Sequence, residues 1–254
     1  MKNTSKITAL LIAYNEEEFI ENYISSMDFV DELIIVDSFS TDKTCDIIKE
    51  FPHVKLYQRK FDDFSSQKNY AIEKASNDWI IFFDADEVIT KSLKEEIIKT
   101  VSKEADVIAY WIFRTTIYMG KEIGYSGLQN DKVIRLFRKE FCRYNGKLVH
   151  EEIEAKGKVG FLKNKMKHYS YKGIDAIIIK RNKYAQLQAE SLYKKGKKPN
   201  AFHFLVKPAF RFFKHFVLKR GFLDGFQGFM ISYIFGYTVF MRYVKLWLLH
   251  KKLK

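Results

Sequence analysis

The sequence predicts an α/β fold built on a mostly parallel sheet with helices on both faces. Three apolar runs support it: Ile7–Ala13, Leu33–Val36 and Trp79–Phe83. Each run is continuous, without polar alternation, as is typical of strands that are buried on both faces of a parallel sheet. Segments with helical spacing, roughly ten residues long, separate these runs, so strands and helices alternate as in βαβ units.

The first hundred residues supply the alternating part of this fold. Strands are predicted at Ile7–Ala13, Glu32–Asp37, Val54–Gln58 and Trp79–Phe83. Helices are predicted from the turn at Tyr14-Asn15 to about Ser25, from a Ser40 or Thr41 cap to Glu50, over Ser65–Ala75 and over Lys91–Ser102. After these, Val107–Thr116 and Lys132–Phe137 are predicted strands without a long helix between them, which indicates an antiparallel addition to the sheet.

The C-terminal part of the chain differs in composition. Residues 155–254 carry a net charge of +20, whereas residues 1–154 carry −7. A helix is predicted over Asp175–Gly196, and Lys197-Lys198-Pro199 ends it. We therefore predict an α/β domain over residues 1–172 and a helical, basic and aromatic extension over residues 173–254.

Composition also limits the class and location of the protein. A hydrophobic content of 47% excludes a disordered chain. Cys45 and Cys142 give no disulfide framework, which fits a reducing compartment. The apolar run near the N-terminus is short and is followed at once by Glu16-Glu17-Glu18, unlike a signal peptide. These features predict a cytoplasmic protein.

Carboxylates follow the most apolar strand directly. Asp84, Asp86 and Glu87 come immediately after Trp79–Phe83, where open α/β sheets place their ligands. Two hard oxygen ligands suit Mg²⁺ or Mn²⁺ carrying a substrate diphosphate. The alternative is that Asp84 and Asp86 only cap the following helix.

Two further polar loops follow the first and second strands. They are Asn15-Glu16-Glu17 and the segment from Asp37 to Asp42, and we expect them to lie along the same sheet edge as Asp84. The chain contains neither a glycine-rich dinucleotide fingerprint nor a P-loop. A nucleotide would therefore be held by a metal ion and side chains.

Four motifs in order resemble family 2 glycosyltransferases, which have the GT-A fold. They are Ile12-Ala13-Tyr14-Asn15-Glu16-Glu17, the segment from Ile35 to Thr44, Gln67-Lys68-Asn69-Tyr70-Ala71 and Phe83-Asp84-Ala85-Asp86-Glu87. The second half resembles the small bacterial branch that adds glucose to the lipopolysaccharide inner core. That resemblance rests on the segments at 133–138, 149–151, 168–171 and 221–225.

This resemblance implies roles for the donor-binding residues. Asp37 would pair with the uracil edge, while Tyr14 and Glu16 would lie beside the base and ribose. Lys68 would face the diphosphate, Asp84 would approach the ribose or sugar, Asp86 would bind the metal ion, and His168 would be a further metal ligand or a diphosphate contact.

The resemblance further implies inversion by direct displacement, with one carboxylate acting as base on the acceptor hydroxyl. The Glu-Asp pair that often supplies this base in the family is absent. The nearest substitute is Val149-His150-Glu151-Glu152, so Glu151 is the predicted base and Glu152 the alternative. Displacement needs no second carboxylate as acid, because a nucleoside diphosphate is already an activated leaving group. Arg135 and Arg138 are equally compatible with surface charges or with phosphate ligands.

Basic and aromatic residues alternate through Phe202–Arg220, a pattern typical of an interfacial element on an anionic leaflet. The alternative is a helical subdomain that packs on the catalytic domain or on a second copy. Residues Gly225–Met241 carry no charge but contain Gln227, Ser232 and three glycines, and so fall short of a spanning helix. We expect a peripheral protein on the inner face of the cytoplasmic membrane.

The combined prediction is a metal-dependent transferase that moves a hexose from a UDP-sugar to a lipid-linked glycan acceptor. A nucleotidyltransferase would also use carboxylates and a metal ion, but a Gly- and Lys-rich loop after the first strand is missing. A nucleic-acid-binding protein would fit the pI of about 9.4, but no recognised binding motif is present, so no nucleic-acid partner is predicted. The sequence leaves the oligomeric state open.

Overall fold

A computed structural model describes residues 5–103, 106–146, 152–169 and 173–253. The chain divides into two compact units. The first comprises Met1–Arg114 with Asp131–His168, and the second comprises Thr115–Asn130 with Tyr169–Lys254. The division of the sequence at residues 172 and 173 stays a prediction.

Twelve strands are formed by the described residues. They are β1 (Ile7–Ala13), β2 (Glu32–Asp37), β3 (Val54–Gln58), β4 (Trp79–Phe82), β5 (Glu87–Val88), β6 (Val107–Tyr118), β7 (Lys121–Ile123), β8 (Lys132–Arg138), β9 (Cys142–Tyr144), β10 (Ile153–Ala155), β11 (Lys158–Phe161) and β12 (Met166–His168). The main sheet has the order β3-β2-β1-β4-β8-β6-β12-β5, and β9 and β10 form a separate hairpin.

The main sheet has a parallel half and an antiparallel half, as the sequence predicts. Strand β1 pairs in parallel with β2 and with β4, and β2 pairs in parallel with β3. Strand β8 then pairs antiparallel with both β4 and β6. Every residue of β2 and β4 is buried, which explains the continuous apolar runs at Leu33–Val36 within β2 and throughout β4.

Seven α-helices lie in the described parts of the chain. They are α1 (Ile20–Ser26), α2 (Thr44–Lys49), α3 (Phe64–Lys74), α4 (Lys91–Val101), α5 (Ile174–Lys194), α6 (Ala201–Phe213) and α7 (Phe226–Lys251). A π-helix, Lys214–Leu218, follows α6, and a 3₁₀ helix, Gly221–Asp224, precedes α7.

Two apolar cores lie on opposite faces of the parallel strands. Side chains of α1 and α4, such as Ile24 and Ile97, pack with one set of strand residues. Ala71 and Ile72 of α3 pack with the alternate set, which includes Ile80. This alternation follows from the two-residue repeat of a strand and confirms helices on both faces of the sheet.

The predicted cap of α2 is wrong. The helix begins at Thr44, and the backbone N–H of Thr44 donates to Asp42 Oδ1 at 3.0 Å. Ser40 and Thr41 instead bond to Asn15 in the loop after β1. Short polar side chains can bond to a helix N-terminus or to another nearby backbone group, and here the loop after β1 lies close enough to take these bonds.

The second unit has its own core. Tyr118, Ile123 and Ile177 pack with Ile231 and Ile234 of α7. In the part of the chain that the structure describes, no helix is both long enough and apolar enough to cross a membrane.

Candidate active site

The loops after β1 and β2 are joined to each other at the carboxyl edge of the parallel strands. Thr41 N donates to Asn15 Oδ1 at 2.8 Å, and Asn15 N donates to Ser40 Oγ at 2.9 Å. Glu16 N donates to Thr44 Oγ1 at 2.8 Å. Asn15 has a positive φ of 56°, a conformation that Asn tolerates better than most residues. The two loops therefore lie together, as the sequence predicts.

Asp37 ends β2 beneath these loops and is fully buried. One of its oxygens accepts from Ser40 N at 3.0 Å and from Gln58 Nε2 at 3.3 Å. Its carboxylate therefore organises the loop in this structure, and contact with a nucleobase would require a change of partner. Tyr14 is exposed and Glu16 is partly buried in the loop after β1. The nucleotide-binding roles of these three residues stay predictions.

A buried cation lies next to Asp84. Arg135 of β8 contacts Asp84 Oδ2, and its Nη2 donates to Glu87 Oε1 at 2.9 Å. The β4–β8 register pairs Ile81 with Leu136, so Arg135 reaches the end of β4 just before Asp84. Arg135 is therefore a buried ion-pair partner.

Lys68 of α3 adds a second positive charge. It is buried, and its Nζ lies 3.9 Å from Asp84 Oδ1 and 5.0 Å from the centre of the Tyr144 ring. Burial tends to raise the pKa of Asp84, but the charges of Arg135, Lys68 and His168 outweigh it and hold the pKa at about 2. Asp84 is thus ionised at neutral pH and already has compensating charges.

Glu87 anchors the turn that carries these carboxylates. It is buried, and its Oε2 accepts from the backbone N–H of Asp84 at 3.0 Å. Arg114 Nη1 lies 3.4 Å from Glu87 Oε1, and Arg114 Nη2 donates to Asp131 at 2.8 Å. The alternative in which Asp84 and Asp86 only cap a helix does not fit, because α4 is capped by Thr90, whose side chain accepts from Leu93 N.

Asp86 and His168 form the pair best suited to a metal ion. Strand β12 pairs with β5 so that His168 lies opposite Glu87, and His168 Nε2 lies 3.5 Å from Asp86 Oδ2. Within the described residues, Nδ1 of His168 is buried without a hydrogen-bond partner, and no cluster of three or more His, Cys, Asp or Glu residues could hold a metal.

Two protein ligands fit a divalent cation that takes its remaining ligands from a diphosphate and water. An imidazole ligand suits Mn²⁺ better than Mg²⁺, because Mg²⁺ prefers oxygen. Asp86 and His168 are thus the residues that could hold a divalent cation here.

The two candidates for the base are Glu151 and Glu152, and only Glu152 belongs to the described residues. Glu151 falls outside them, so its position is not described. Glu152 is exposed and precedes β10, and its carbonyl accepts from Asn145 N at 3.1 Å at the end of the hairpin where β9 and β10 are connected. Asn69 of α3 bonds to the backbone of Tyr144 in this hairpin at 2.9 and 3.1 Å. The hairpin that bears Glu152 is therefore attached to the helix that carries Lys68.

Comparison with known proteins gives matches over most of the chain. A model of the family described as glycosyl transferase family 2 matches residues 8–149. An uncharacterized glycosyltransferase from Rickettsia bellii is 33% identical over 96% of this chain and 86% of its own. A lipopolysaccharide core biosynthesis glycosyltransferase from Rhizobium meliloti is 25% identical over 93% of both chains.

Among solved structures, a mannosyltransferase from Pyrobaculum calidifontis in complex with GDP-mannose and Mn²⁺ is similar. It has a TM-score of 0.55 and 14% identity over 95% of this chain and 87% of its own. At this identity the likeness concerns the fold alone, and it confirms the GT-A arrangement expected from the sequence.

Proposed function

Because the chain belongs to glycosyl transferase family 2, we propose that it is a metal-dependent, inverting enzyme that transfers glucose from UDP-glucose to a lipopolysaccharide-core acceptor. The observation that carries the metal-dependent part is the Asp86–His168 pair, with its 3.5 Å separation, beside the charge-compensated Asp84.

The donor-binding roles in this proposal follow from charge. Asp86 and His168 would hold a divalent cation, which when bound neutralises negative charge on the departing diphosphate. Lys68 contributes a fixed positive charge from a buried position, where electrostatic effects exceed those in water. Asp84, kept ionised by Arg135 and Lys68, accepts hydrogen bonds from hydroxyl groups of the ribose or the sugar.

The acceptor role belongs to a carboxylate that precedes β10 in the sequence. Glu151 takes the proton of the acceptor hydroxyl as it attacks the anomeric carbon, with Glu152 as the alternative. A base needs to lie within hydrogen-bond reach of that hydroxyl on the face opposite the leaving diphosphate. Because that diphosphate is a good leaving group, no residue is assigned as an acid.

The choice of nucleotide and acceptor has separate support. UDP follows from the proposed role of Asp37 at the uracil edge, whereas the solved mannosyltransferase contains GDP-mannose. The lipopolysaccharide-core acceptor is supported by the relative from Rhizobium meliloti. Such an acceptor is anchored in lipid, so we propose that the protein acts at the cytoplasmic face of the inner membrane, where its basic C-terminal region meets anionic lipid.

A donor-hydrolysis screen tests this proposal. The full chain is incubated with UDP-glucose, UDP-galactose, UDP-N-acetylglucosamine or GDP-mannose, with Mn²⁺, Mg²⁺ or EDTA, and the released nucleoside diphosphate is measured. We expect UDP release from UDP-glucose, faster with Mn²⁺ than with Mg²⁺ and abolished by EDTA. Release of GDP alone would overturn the uridine assignment, and release that persists in EDTA would overturn the metal assignment.

The acceptor is tested with the donor that this screen selects. Core oligosaccharide that is still attached to lipid and the same glycan freed from lipid are each supplied, and the product is analysed by mass spectrometry. We expect one added hexose with inverted anomeric configuration. Transfer to neither form would remove the lipopolysaccharide-core acceptor from the proposal and leave the donor chemistry in place.

A further inference from the structure

Helix α6 has an unusual distribution of side chains. None of its residues is buried, although most of them are apolar. At about 100° per residue, its exposed large apolar side chains fall on one side of the helix. We call this side the outer face of α6, and it continues by one residue into the π-helix: Phe202, Leu205, Val206, Phe210, Phe213 and Val217.

The polar side chains of α6 lie on other sides. Lys207 Nζ donates to the hydroxyl of Tyr243 in α7 at 2.9 Å, and the His203 ring lies 4.6 Å from the Tyr243 ring. Arg211 is about 180° around the helix from Phe202 of the outer face, and its guanidinium lies 6.0 Å from the centre of the Phe235 ring of α7. The two cations of α6 therefore lie on the side of the helix that faces α7, together with Phe204 and Phe212. The large apolar side chains of the outer face lie on the other side, whereas an ordinary surface helix presents polar side chains there.

An apolar groove of about 420 Å³ runs between α6 and α7. Ala209 of α6 and Phe229, Tyr233 and Phe240 of α7 line it, and all four side chains are exposed. Gly236 allows the close approach of the helices here, because a Cβ atom at this position would lie 3.1 Å from the carbonyl oxygen of Pro208. The apolar surface thus extends from the outer face of α6 across the groove onto α7.

Charge indicates what covers this surface. Residues 191–254 contain 14 Lys and Arg but a single acidic residue, Asp224. Asp224 is buried and accepts from Gly124 N at 2.9 Å and from Tyr125 N and Ser126 Oγ at 3.0 Å, so it is engaged internally. A second copy of such a segment would repel the first, whereas an anionic leaflet supplies both negative charge and hydrocarbon.

We propose that the outer face of α6 inserts in the plane of one leaflet of an anionic membrane. Phe202, Leu205 and Phe213 reach the boundary between head groups and acyl chains, and Lys219 and Arg220 contact lipid phosphates. This inference rests on the proposed function, because insertion would bring the enzyme to its acceptor only if that acceptor is linked to lipid. It goes further in assigning the contact to hydrocarbon insertion by one helix face.

Vesicle co-sedimentation with a matched pair of variants tests the insertion. Leu205 of α6 and Ile179 of α5 are both 70% exposed and belong to the same unit, but only Leu205 is on the outer face. The full chain is mixed with vesicles of phosphatidylcholine and phosphatidylglycerol, or of phosphatidylcholine alone, at low and high salt. We expect binding to the anionic vesicles, a fall of about tenfold or more in partition for Leu205→Gln, and less than twofold for Ile179→Gln.

Insertion depth provides a second measurement that does not depend on a loss of binding. The variant Phe213→Trp adds a fluorophore on the outer face. We expect a blue shift on anionic vesicles and quenching by lipids brominated in their acyl chains, beyond that of the parent chain. Absence of extra quenching despite binding would show attachment by charge alone and would overturn the insertion.

Other outcomes also oppose the inference. It fails if the full chain stays in the supernatant with anionic vesicles at low salt, or if the two Gln variants lose binding equally. It also fails if Leu205→Gln converts a dimer to a monomer in ultracentrifugation without affecting vesicle partition, which would make this face an interface between copies.

These measurements are independent of catalysis, because no donor or acceptor is present in them. Donor hydrolysis without vesicles, measured on the same variants, reports separately on the proposed function. Vesicle binding without any donor hydrolysis would contradict the proposed function alone. Donor hydrolysis without insertion would contradict only this inference.

Discussion

Arg135 and Glu87 form a buried ion pair beneath the candidate metal site, with Arg135 Nη2 2.9 Å from Glu87 Oε1. The other Glu87 oxygen accepts the backbone N–H of Asp84 at 3.0 Å. The turn that carries Asp84 and Asp86 is thereby attached to a charge pair inside the protein. A change at Arg135 acts on this turn through Glu87 as well as through direct contact with Asp84.

Replacement of Arg135 leaves Glu87 without its nearest compensating charge. We expect Arg135→Gln to lower the free energy of unfolding by about 3–5 kcal/mol, because removal of one partner leaves a buried charge uncompensated. Arg138 on the same strand is a control, since its pair with Asp78 is longer, at 3.7 Å, and more exposed. Urea denaturation should show a loss of at most about 1 kcal/mol for Arg138→Gln. Equal losses in the free energy of unfolding for the two variants would show that the buried Arg135–Glu87 pair stabilises the fold no more than the exposed Arg138–Asp78 pair.

Asp86→Asn keeps the shape of the side chain but removes the charge that would hold a cation. We expect turnover to fall by about 10²-fold or more and the affinity for Mn²⁺, measured by calorimetry with UDP, to fall with it. His168→Gln should also weaken Mn²⁺ binding. The exposed Asp46 of α2 provides the control, and Asp46→Asn should leave both quantities unchanged. Normal turnover of Asp86→Asn in EDTA would contradict the metal site.

The base is tested by comparing Glu151→Gln with Glu152→Gln. We expect Glu151→Gln to lower turnover by about 10²–10⁴-fold while UDP affinity stays nearly constant, because the base contacts the acceptor and not the nucleotide. Steady-state kinetics combined with UDP titration separates the two effects. A larger loss in Glu152→Gln would transfer the role to Glu152, and a parallel loss of UDP affinity would indicate a donor-binding or structural role.

Glu32 gives the fold a pH dependence remote from the active site. Burial tends to raise its pKa, but hydrogen bonds from Lys55, Thr8 and Ser76 outweigh it and lower the pKa to about 2. The stabilisation by Glu32 is therefore complete above its ordinary pKa of 4.5 and is lost as the pH falls toward 2.

We accordingly expect Glu32→Gln to reduce the free energy of unfolding by about 1–3 kcal/mol at pH 7. This difference should shrink as the pH falls from about 4.5 toward 2. Urea denaturation at pH 7 and pH 3 measures it, with Glu50→Gln at the exposed end of α2 as control. A difference that stays constant with pH would contradict the role of the ionised carboxylate.

Much of the fold was predictable because its strongest elements have long, uniform patterns. Strands β1, β2 and β3 have the predicted limits. For β1 and β2 the reason is an apolar run between polar loops, which few other assignments fit. The resemblance to family 2 glycosyltransferases, drawn from four ordered motifs, is confirmed by the matching family model. By contrast, β5, β7, β9, β10 and β12 have only two or three residues each, too few to show a period.

The site was less predictable than the fold. Arg135 is a single charge between apolar residues of a strand, which is compatible with an exposed side chain, and only the β4–β8 register shows that it is buried beside Asp84. The pairing of His168 with Asp86 likewise depends on the short β5–β12 contact. A possible signal for Arg135 was the excess of carboxylates at the end of β4, which requires a nearby cation if they are buried.

Adjacent residues of α3 serve the two sides of the proposed reaction. Lys68 lies 3.9 Å from Asp84, and Asn69 holds the backbone of Tyr144 in the hairpin that leads to Glu152. Helix α3 therefore sets the distance between the nucleotide side of the site and the β9–β10 hairpin. An inserted residue between Lys68 and Asn69 would rotate one of them by about 100° around the helix axis and separate the two functions.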